Sequence, residues 1–268
     1  MLSPVAVVPQ SVLEVLPICV RIPSSTEILA ECGAYRVRLA ADDDDRHCLY
    51  RLRFLVFNLE LHEGLDASYL DGMDRDQFDT ACDHLMVEHR ESGRIVGTYR
   101  LQTGCVAGRH LGYYSAQEFD FAPYEPLRDQ VVECGRACIH REFRSFEVLN
   151  LLWRGIALYA ISRGGRYLIG CSSVTSQDPK LGWAMYYRLQ EYLVRPELQT
   201  QPTEAYTCPW EAVTTELPQP PKLLRAYLTV GARICGPPAL DREFKTIDFL
   251  TLLDLENMAP SARARYLR

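Results

Sequence analysis

Residues 131–144 read VVECGRACIHREFR, and this stretch decides the fold. The alternation up to Ile139 predicts a β-strand over residues 131–139. An amphipathic helical pattern begins at about Glu147, so a strand, a basic loop and a helix N-terminus follow one another directly. Because helix N-termini attract anions, this order can place a carboxylate beside a bound anion. Such a layout is suited to acyl transfer.

Glu133 and Arg136 are the candidate catalytic residues of this strand. Three positions separate them, so on a flat strand they face opposite sides. A β-bulge at about Gly135 would bring both to one side. A surface pair at the strand end is the alternative, but burying a glutamate in an apolar strand is costly without a partner. We therefore predict a functional role for both.

The elements on either side define the fold class. Strands are predicted over residues 35–40, 84–90, 95–101, 167–174, 232–235 and 246–255, and helices after the acidic run 42–45 and over 147–162, 181–193 and 222–230. Antiparallel strands followed by strand–helix–strand–helix predict an α/β (α+β) fold with helices on both faces of the sheet. Residues 1–34 are interpreted as an N-terminal arm and residues 35–268 as one domain, with a polar loop at 66–80 and an exposed excursion at about 196–221.

Composition excludes several classes of protein. The chain has 268 residues and a formal net charge of -6, which disfavours nucleic acid as a partner. Ten scattered cysteines without a CxxC pair argue against a zinc ribbon, and reduced, buried thiols indicate a cytoplasmic protein. No apolar run is long enough to span a membrane. Residues 12–20 are apolar but short, so they either rest on a membrane surface or pack against the fold. GxSxG, HExxH and Walker motifs are absent, so neither a serine nucleophile nor a metal site is predicted.

Arg141 and Arg144 lie in the basic loop just before the helix. Arginines at a helix N-terminus form charge-assisted hydrogen bonds to phosphate. Arg154 adds positive charge nearby, which suits an acidic protein partner. A solvated basic loop is the alternative interpretation.

Several segments together resemble a known family. They are RFLVF (53–57), DHLMV (83–87), GTYRL (97–101), ECGR (133–136), LWRGI (152–156), RYLIGCSS (166–173), DREF (241–244) and DF (248–249). Their order over about residues 35–255 is similar to that of acyl-carrier-protein-dependent N-acyltransferases of the GNAT superfamily, of the ornithine lipid synthase ("hemolysin-like") type. Acyl-homoserine lactone synthases and N-acyl amino acid synthases are more distant relatives. The resemblance implies a mixed, mostly antiparallel twisted sheet.

The resemblance also implies site residues. Positions matching the active cleft of the lactone synthases are Arg53, Phe57, Asp83, Arg100, Glu133 and Arg136. Glu133 is expected to act as general base, directly or through a water, and Arg136 to hold the substrate carboxylate or orient Glu133. Asp83 is a candidate for binding a cationic side chain. The residues Leu151, Leu152 and Trp153 either line an acyl tunnel or form ordinary core.

The implied reaction moves a (3-hydroxy) fatty acyl group from acyl carrier protein to the α-amine of an amino acid, foremost ornithine. The loop HREFRS (140–145) lacks the glycines of the acetyl-CoA enzymes, which favours a phosphopantetheine donor and no tightly bound cofactor. An N-acyl glycine or other N-acyl amino acid synthase is one alternative, and a non-catalytic acyl-binding or hemolysin-like protein is another. No HxxxxD motif occurs, so no second, ester-forming acylation is expected. Peripheral contact with the inner membrane is a further expectation.

Overall fold

A computed structural model describes residues 28–213 and 217–267. The segment 12–20 and most of the predicted arm lie outside these residues. The strands are β1 Ile28–Cys32, β2 Tyr35–Leu39, β3 Asp83–His89, β4 Arg94–Thr103, β5 Val131–Ile139, β6 Tyr167–Val174, β7 Arg233–Ile234, β8 Ala239–Asp241 and β9 Thr246–Asp254. The α-helices are α1 Asp43–Phe54, α2 Gly104–Arg109, α3 Phe146–Ser162, α4 Pro179–Arg188, α5 Lys222–Val230 and α6 Pro260–Tyr266. Within the described ranges, no helix has the length and apolar character needed to cross a bilayer.

The nine described strands form one mixed sheet in the order β1-β2-β3-β4-β5-β6-β9-β7, with β8 also paired to β9. Strands β5 and β6 pair in parallel, and the other pairs are antiparallel. The predicted fold class is thereby confirmed. Three details differ from the prediction: residues 28–32 belong to the sheet as edge strand β1 rather than to an arm, the short strand β8 was not predicted, and the helix predicted over 181–193 ends at Arg188, before a 3₁₀ turn at Gln190–Tyr192.

Helices cover both faces of the sheet because side chains on each strand alternate between them. Helix α3 packs on the face that carries Leu85 and Leu101. This contact is close: a Cβ added at Gly155 would lie 2.9 Å from Val37 Cγ2. Helix α1 covers the opposite face, where Met86 and Ile95 are buried. The first face is called the α3 face below, and the second the α1 face.

Strand β5 contains a bulge at the place where the sequence predicts one. Thr98 pairs with Cys138 but Arg100 pairs with Gly135, so two residues of β5 oppose one residue of β4. The strained position is Arg136, with φ +50°, rather than the neighbouring glycine. Because the bulge adds one residue, the side chains of Glu133 and Arg136 reach the same face of the sheet.

Strands β5 and β6 pair over only three positions, from Val131–Tyr167 to Glu133–Ile169. Beyond Glu133 the two strands separate and leave a notch in the middle of the sheet. Gly170 closes its narrow end, because a Cβ there would lie 2.1 Å from the carbonyl oxygen of Cys134. The notch is the opening around which the site described below is built.

The excursion predicted at residues 196–221 is not exposed throughout. It contains short 3₁₀ turns at Pro196–Leu198 and Glu204–Tyr206, and the side chains of Leu198 and Cys208 are buried. The amide of Thr200 donates to the carbonyl oxygen of Cys235 at 2.8 Å. This segment therefore covers part of the core beside β9.

Candidate active site

A polar cavity of about 220 Å³ opens on the α1 face beside the notch. Roughly 10–15 Å³ of such space holds one water, so the cavity can hold a molecule the size of an amino acid. Its polar walls come from β4, β5, β6, β8, β9 and the segment that precedes β5. The charged and amide side chains on these elements that line it are Arg100, Gln102, Glu118, Glu133, Arg136, Asp241 and Asp248, and Glu63 joins them from the segment after α1.

Glu133 lies in the wall of the cavity where β5 leaves β6, and only 5% of the residue is exposed. Its two carboxylate oxygens accept hydrogen bonds from the backbone N–H groups of Tyr114, at 2.9 Å, and Ser115, at 2.7 Å. Burial raises the pKa of Glu133, and these backbone hydrogen bonds offset part of that rise. The carboxylate is thus held in one orientation with a pKa moved toward the range of a general base.

Arg136 and Arg100 also line the cavity, but neither guanidinium is without an ion-pair partner. Arg136 contacts Asp76 Oδ2 at 2.6 Å and Asp74 Oδ1 at 3.4 Å. Arg100 contacts Asp76 Oδ1 at 2.6 Å and Asp79 Oδ1 at 3.3 Å. Backbone N–H groups, and not Arg136, therefore hold Glu133 in its orientation, and the predicted contact of Arg136 with a substrate carboxylate stays a prediction.

Arg53 and Phe57 were predicted to bind substrate, and their positions differ. Phe57 lies on a π-helical turn after α1 and lines the cavity. Its ring makes an edge-to-face contact with that of Phe244, with the two ring centres 6.2 Å apart. Arg53 is fully buried and absent from the cavity wall. It donates to Asp79 at 2.7 Å and contacts His84 Nδ1 at 3.0 Å. The prediction that Arg53 binds substrate directly is therefore wrong. Its side chain lies behind the cavity wall and pairs there with Asp79.

Asp83 lies on the wrong side of the sheet for its predicted role. Its carboxylate accepts a hydrogen bond from Tyr159 of α3 at 2.7 Å and lies 3.9 Å from Arg163. It is about half exposed, with 46% of its side chain accessible. Because β-strand side chains alternate, Asp83 points to the α3 face and away from the polar cavity. A cation bound in the polar cavity must therefore pair with a carboxylate other than that of Asp83.

The loop at residues 66–80 contributes three acids that sequence reasoning did not assign to the site. Asp74, Asp76 and Asp79 are ion-paired with the arginines at positions 53, 100 and 136. Burial acts to raise the pKa of Asp79, but the charges of Arg53 and Arg100 outweigh it and hold that pKa below its usual range. Residues 66–80 contain five aspartates, and no local pattern distinguishes the three that pair with these arginines.

A second missed group consists of Glu118, Asp241 and Asp248. All three are buried, line the same cavity as Glu133, and have carboxylate oxygens within 4.8 Å of one another. Burial and the neighbouring carboxylates raise the pKa of Asp248 to about 6 and that of Glu118 well above its usual range. We call these residues the acidic trio. Oxygen ligands at this spacing can hold a cation, either a metal ion or an ammonium group.

A second, apolar cavity lies on the α3 face and meets the polar one at the notch. Its walls include Trp153, Ile156 and Ala157 of α3, and Tyr227 of α5. Leu151 and Leu152, two other candidates for this tunnel, belong to the core beneath α3. The residues shared by both cavities are Tyr99, Cys134, Cys171, Ser172 and Tyr227, and the hydroxyls of the two tyrosines form a hydrogen bond. The polar cavity and the apolar cavity therefore share their walls at the notch.

The predicted carrier-binding arginines lie around the start of α3. Arg141 is exposed, and the exposed Arg144 forms a bidentate pair with Glu60 at 2.6 and 2.9 Å. Arg154 is half-buried two turns into the helix. Beside the two exposed arginines, the ring of Phe146 is 81% exposed, which sequence reasoning did not single out. Exposed cationic groups around an apolar side chain are typical of surfaces that bind acidic proteins.

The thiols at the notch are unsuited to act as nucleophiles. Burial raises the pKa of Cys134 and Cys171 well above the usual value of a thiol. The thiolate is the reactive form of cysteine, and little of it forms near neutral pH when the pKa is raised. Neither thiol is therefore suited to carry a covalent intermediate at this site.

The chain is similar to known proteins in both sequence and fold. Residues 52–154 match the acetyltransferase (GNAT) domain family. A Brucella abortus (strain 2308) protein named L-ornithine N(alpha)-acyltransferase is 31% identical over 253 residues, which cover 87% of this chain and 88% of that protein. A protein of the same name from Agrobacterium fabrum (strain C58 / ATCC 33970) is 29% identical, with coverages of 87% and 85%.

Two solved structures share the fold. The N-acyl amino acid synthase FeeM from uncultured soil microbes aligns with a TM-score of 0.51 at 12% identity, covering 87% of this chain and 95% of FeeM. The acyl-homoserine lactone synthase LasI aligns with a TM-score of 0.50 at 14% identity, covering 83% and 91%. At such identities the likeness concerns the fold alone.

Proposed function

The chain belongs to the family of L-ornithine Nα-acyltransferases and has the GNAT fold, and we propose that it moves a 3-hydroxy fatty acyl group from acyl carrier protein to the α-amine of L-ornithine. The predicted acyltransferase class is confirmed by these relatives, which removes the non-catalytic alternative. The observation that supports the finer proposal is the position of Glu133. It lines the polar cavity beside Cys134, one of the residues that this cavity shares with the apolar cavity at the notch.

In the proposed reaction, the substrate amine must first lose a proton, because free α-amino groups have pKa values of about 7.7–8.0. Glu133 accepts that proton, directly or through one water. The amine nitrogen then forms a bond to the thioester carbon, the carbon–sulfur bond breaks, and the leaving phosphopantetheine thiolate takes up the proton that the acylated nitrogen loses. Backbone N–H groups of the separated strands β5 and β6 stabilise the oxyanion, and one such donor is typically worth roughly 10²–10³ in rate.

Arg136 is proposed to bind the α-carboxylate of the amino acid. Its guanidinium carbon lies 4.1 Å from the ring centre of Phe244 and 4.9 Å from that of Tyr114, so two aromatic rings fix its plane. The backbone N–H of Tyr114 in turn donates to Glu133. A substrate bound to Arg136 through its carboxylate therefore presents its α-amine on the same wall as the proposed base.

The apolar cavity is proposed to take the acyl chain. Each buried methylene group contributes roughly 0.8 kcal/mol to binding, so the cavity favours a long fatty chain over an acetyl group. Trp153 and Ala157 of α3 provide one wall, and Tyr227 of α5 closes the side that faces the notch. The phosphopantetheine arm enters through the notch from the carrier, which docks on Arg141, Arg144 and Phe146.

Expression in a bacterium that makes no ornithine lipid, followed by mass spectrometry of extracted lipids, tests the proposal. Accumulation of N-(3-hydroxyacyl)ornithine is the expected result. N-acyl glycine or another N-acyl amino acid in its place would instead favour the alternative substrate class, and no new lipid from a folded protein would overturn the proposal.

A further inference from the structure

We infer that the acidic trio of Glu118, Asp241 and Asp248 is the pocket that recognises the side-chain ammonium of the amino acid, and so selects a diamino acid over neutral ones. This inference rests on the proposed function. The trio lines the cavity that holds Glu133 and Arg136. An amino acid bound by its carboxylate and α-amine on the β5 wall extends its side chain into that cavity.

The trio is a cluster of three buried acids without a cationic partner in the part of the chain that the structure describes. None of its members is ion-paired with a lysine or arginine among the described residues, in contrast to the three loop aspartates, each of which has an arginine. Their present contacts are neutral donors: Asp241 accepts from the amides of Glu243 and Phe244, and Glu118 accepts from the thiol of Cys171 at 3.5 Å. Buried carboxylates ordinarily occur with a cationic partner, so a cationic ligand would complete this group.

Unpartnered polar atoms in the same wall point to a polar ligand as well. No donor among the described residues contacts Oε1 of Glu118 or Oδ1 of Asp248, although the two residues are only 1% and 3% exposed, and the two carboxyl groups lie within hydrogen-bond reach of each other. Gln102 provides an independent observation from another strand. Its side chain is 2% exposed, lines the cavity opposite Glu133 in the β4–β5 register, and has no partner for either its oxygen or its nitrogen. Buried polar groups of this kind are rarely left unsatisfied in a working protein–ligand complex.

The chain connects the trio to the proposed base. The amide of Ser115 donates to Glu133, and the amide of Glu118 donates to the carbonyl oxygen of Ser115 at 3.2 Å. Asp248 lies on β9, where it pairs with Ser173 of the neighbouring strand β6. One turn of backbone thus holds both the base and a member of the trio, so the α-amine and the side-chain ammonium of one ligand are read by a single rigid unit.

An ammonium group suits the trio better than a metal ion does. Hard divalent cations prefer ionised carboxylates with several water or carbonyl ligands. The three carboxylates accept from the amides of Glu243 and Phe244, the hydroxyl of Thr246 and the thiol of Cys171 among the described residues, and burial raises the pKa of Glu118 and Asp248, so the group does not offer the fully ionised oxygen set that such a metal prefers. An ammonium donates three hydrogen bonds and can pair with carboxylates that hold one shared proton among them.

Asp248→Asn is the sharpest test, because asparagine keeps the shape of the side chain and Asp248 holds no backbone turn. Acylation of ornithine is compared with acylation of norvaline, which has the same carbon chain but no side-chain ammonium. Loss of a charged hydrogen-bond partner should lower kcat/KM for ornithine about tenfold to hundredfold. The value for norvaline should stay at the wild-type level or rise, and an equal loss for both amines would overturn the inference.

Asp83→Asn decides between the two placements of the cation site, since Asp83 lies on the opposite face of the sheet. Its ratio of ornithine to norvaline turnover should equal that of the wild type. If Asp83→Asn removes the preference for ornithine and Asp248→Asn keeps it, the trio is not the cation pocket.

A binding measurement separates failure of this inference from failure of the proposed function. Thermal unfolding is followed with ornithine or norvaline alone, without an acyl donor. Ornithine should stabilise the wild type and lose that effect in Asp248→Asn, even if neither amine is acylated. Titration with Mg²⁺, Ca²⁺, Mn²⁺ and Zn²⁺ tests whether the trio is a metal site instead. Metal binding that disappears in Asp248→Asn, together with turnover that a chelator abolishes, would overturn the inference.

Discussion

At the residue scale, Glu133 occupies a position where burial and hydrogen bonding act in opposite directions. Burial raises its pKa, while two backbone N–H groups stabilise its ionised form. The balance leaves a carboxylate that is oriented yet more basic than a free one. Such a group can accept a proton from an amine that reaches the notch.

We expect Glu133→Gln to slow turnover at saturating amine by at least about tenfold, because a general base is lost. The wild-type rate should fall as the pH drops through the raised pKa of Glu133, since the base is then protonated. The variant should lose this limb of the profile and keep only the one set by the substrate amine. A pH–rate profile of both proteins, with circular dichroism to verify the fold, checks the prediction.

Glu133→Asp serves as the matched comparison, because it keeps the charge but withdraws it from the notch. Partial recovery of the rate with Glu133→Asp supports proton transfer by this group. Unchanged turnover in Glu133→Gln would remove Glu133 from the mechanism.

At the scale of elements, the site depends on two irregularities in the sheet. The bulge at Arg136 turns two side chains of β5 to one face, and the early separation of β5 from β6 opens the notch. Both are departures from regular pairing, which would otherwise leave the centre of the sheet closed. Irregular pairing is common next to active sites for this reason.

Gly170→Ala should distort the closed end of the notch, because the new Cβ would meet the Cys134 carbonyl oxygen at 2.1 Å. Overpacking of this kind lowers the free energy of unfolding by about 1–3 kcal/mol. A displaced β5 should reduce kcat roughly 10²-fold, since small misplacements of reacting groups are costly. Urea denaturation and a turnover assay check the two effects.

Gly112→Ala is the control, because Gly112 has a positive φ but open space around it, so a new Cβ there meets no neighbouring atom. It should reduce stability through backbone strain but leave kcat intact. A Gly170→Ala variant with wild-type kcat would show that the spacing of β5 and β6 is not critical.

The start of α3 is the element we propose for docking the carrier protein. Arg141→Glu combined with Arg144→Glu should raise KM for the acyl carrier protein about tenfold or more at low salt, and the difference should shrink as salt increases. The matched control, Arg195→Glu with Arg233→Glu, makes the same change of charge at exposed arginines elsewhere on the surface. Equal KM values for the two double variants, or a difference that salt does not affect, would contradict docking at α3.

At the scale of the whole molecule, a buried ion-pair network supports the site from behind. Asp79 lies between Arg53 and Arg100, and Asp76 between Arg100 and Arg136, so segments far apart in the chain are joined at one place. Desolvation largely offsets the attraction within such networks, but removal of one partner leaves an unpaired buried charge. The network therefore specifies one arrangement of loop and sheet.

Asp79→Asn should lower the free energy of unfolding by about 3–5 kcal/mol at pH 7, because Arg53 is left without its closest acid. The pKa of Asp79 is held below its usual range in the folded state, so its contribution is present above about pH 4 and is lost as the pH falls. The difference between wild type and variant should therefore shrink toward pH 3. Denaturant titrations at pH 7, 5 and 3 measure it.

Asp71→Asn is the control from the same loop. Asp71 forms an exposed pair with Arg75 at 2.6 Å, and such surface pairs contribute only about 0–1 kcal/mol. A similar loss of stability in both variants would mean that the network has no special role.

What the sequence determined by itself is most of the strands and helices, and the placement of an acid and a cation on β5. The strand at residues 131–139 and the helix that follows it were predictable because alternation and helical periodicity are properties of neighbouring residues. The bulge that brings Glu133 and Arg136 to one face was also predictable, since an odd spacing of two functional residues on one strand requires it. The resemblance to N-acyltransferases rested on the same short segments.

Only the tertiary structure decided which charges meet. Asp74, Asp76 and Asp79 belong to a loop that looks solvated, and Glu118, Asp241 and Asp248 come from segments more than a hundred residues apart. The face on which Asp83 lies, and the cavity from which Arg53 is absent, depend on register and layer packing as well. Burial and pairing of ionisable groups are set by contacts between distant parts of the chain, and no local pattern of residues carries that information.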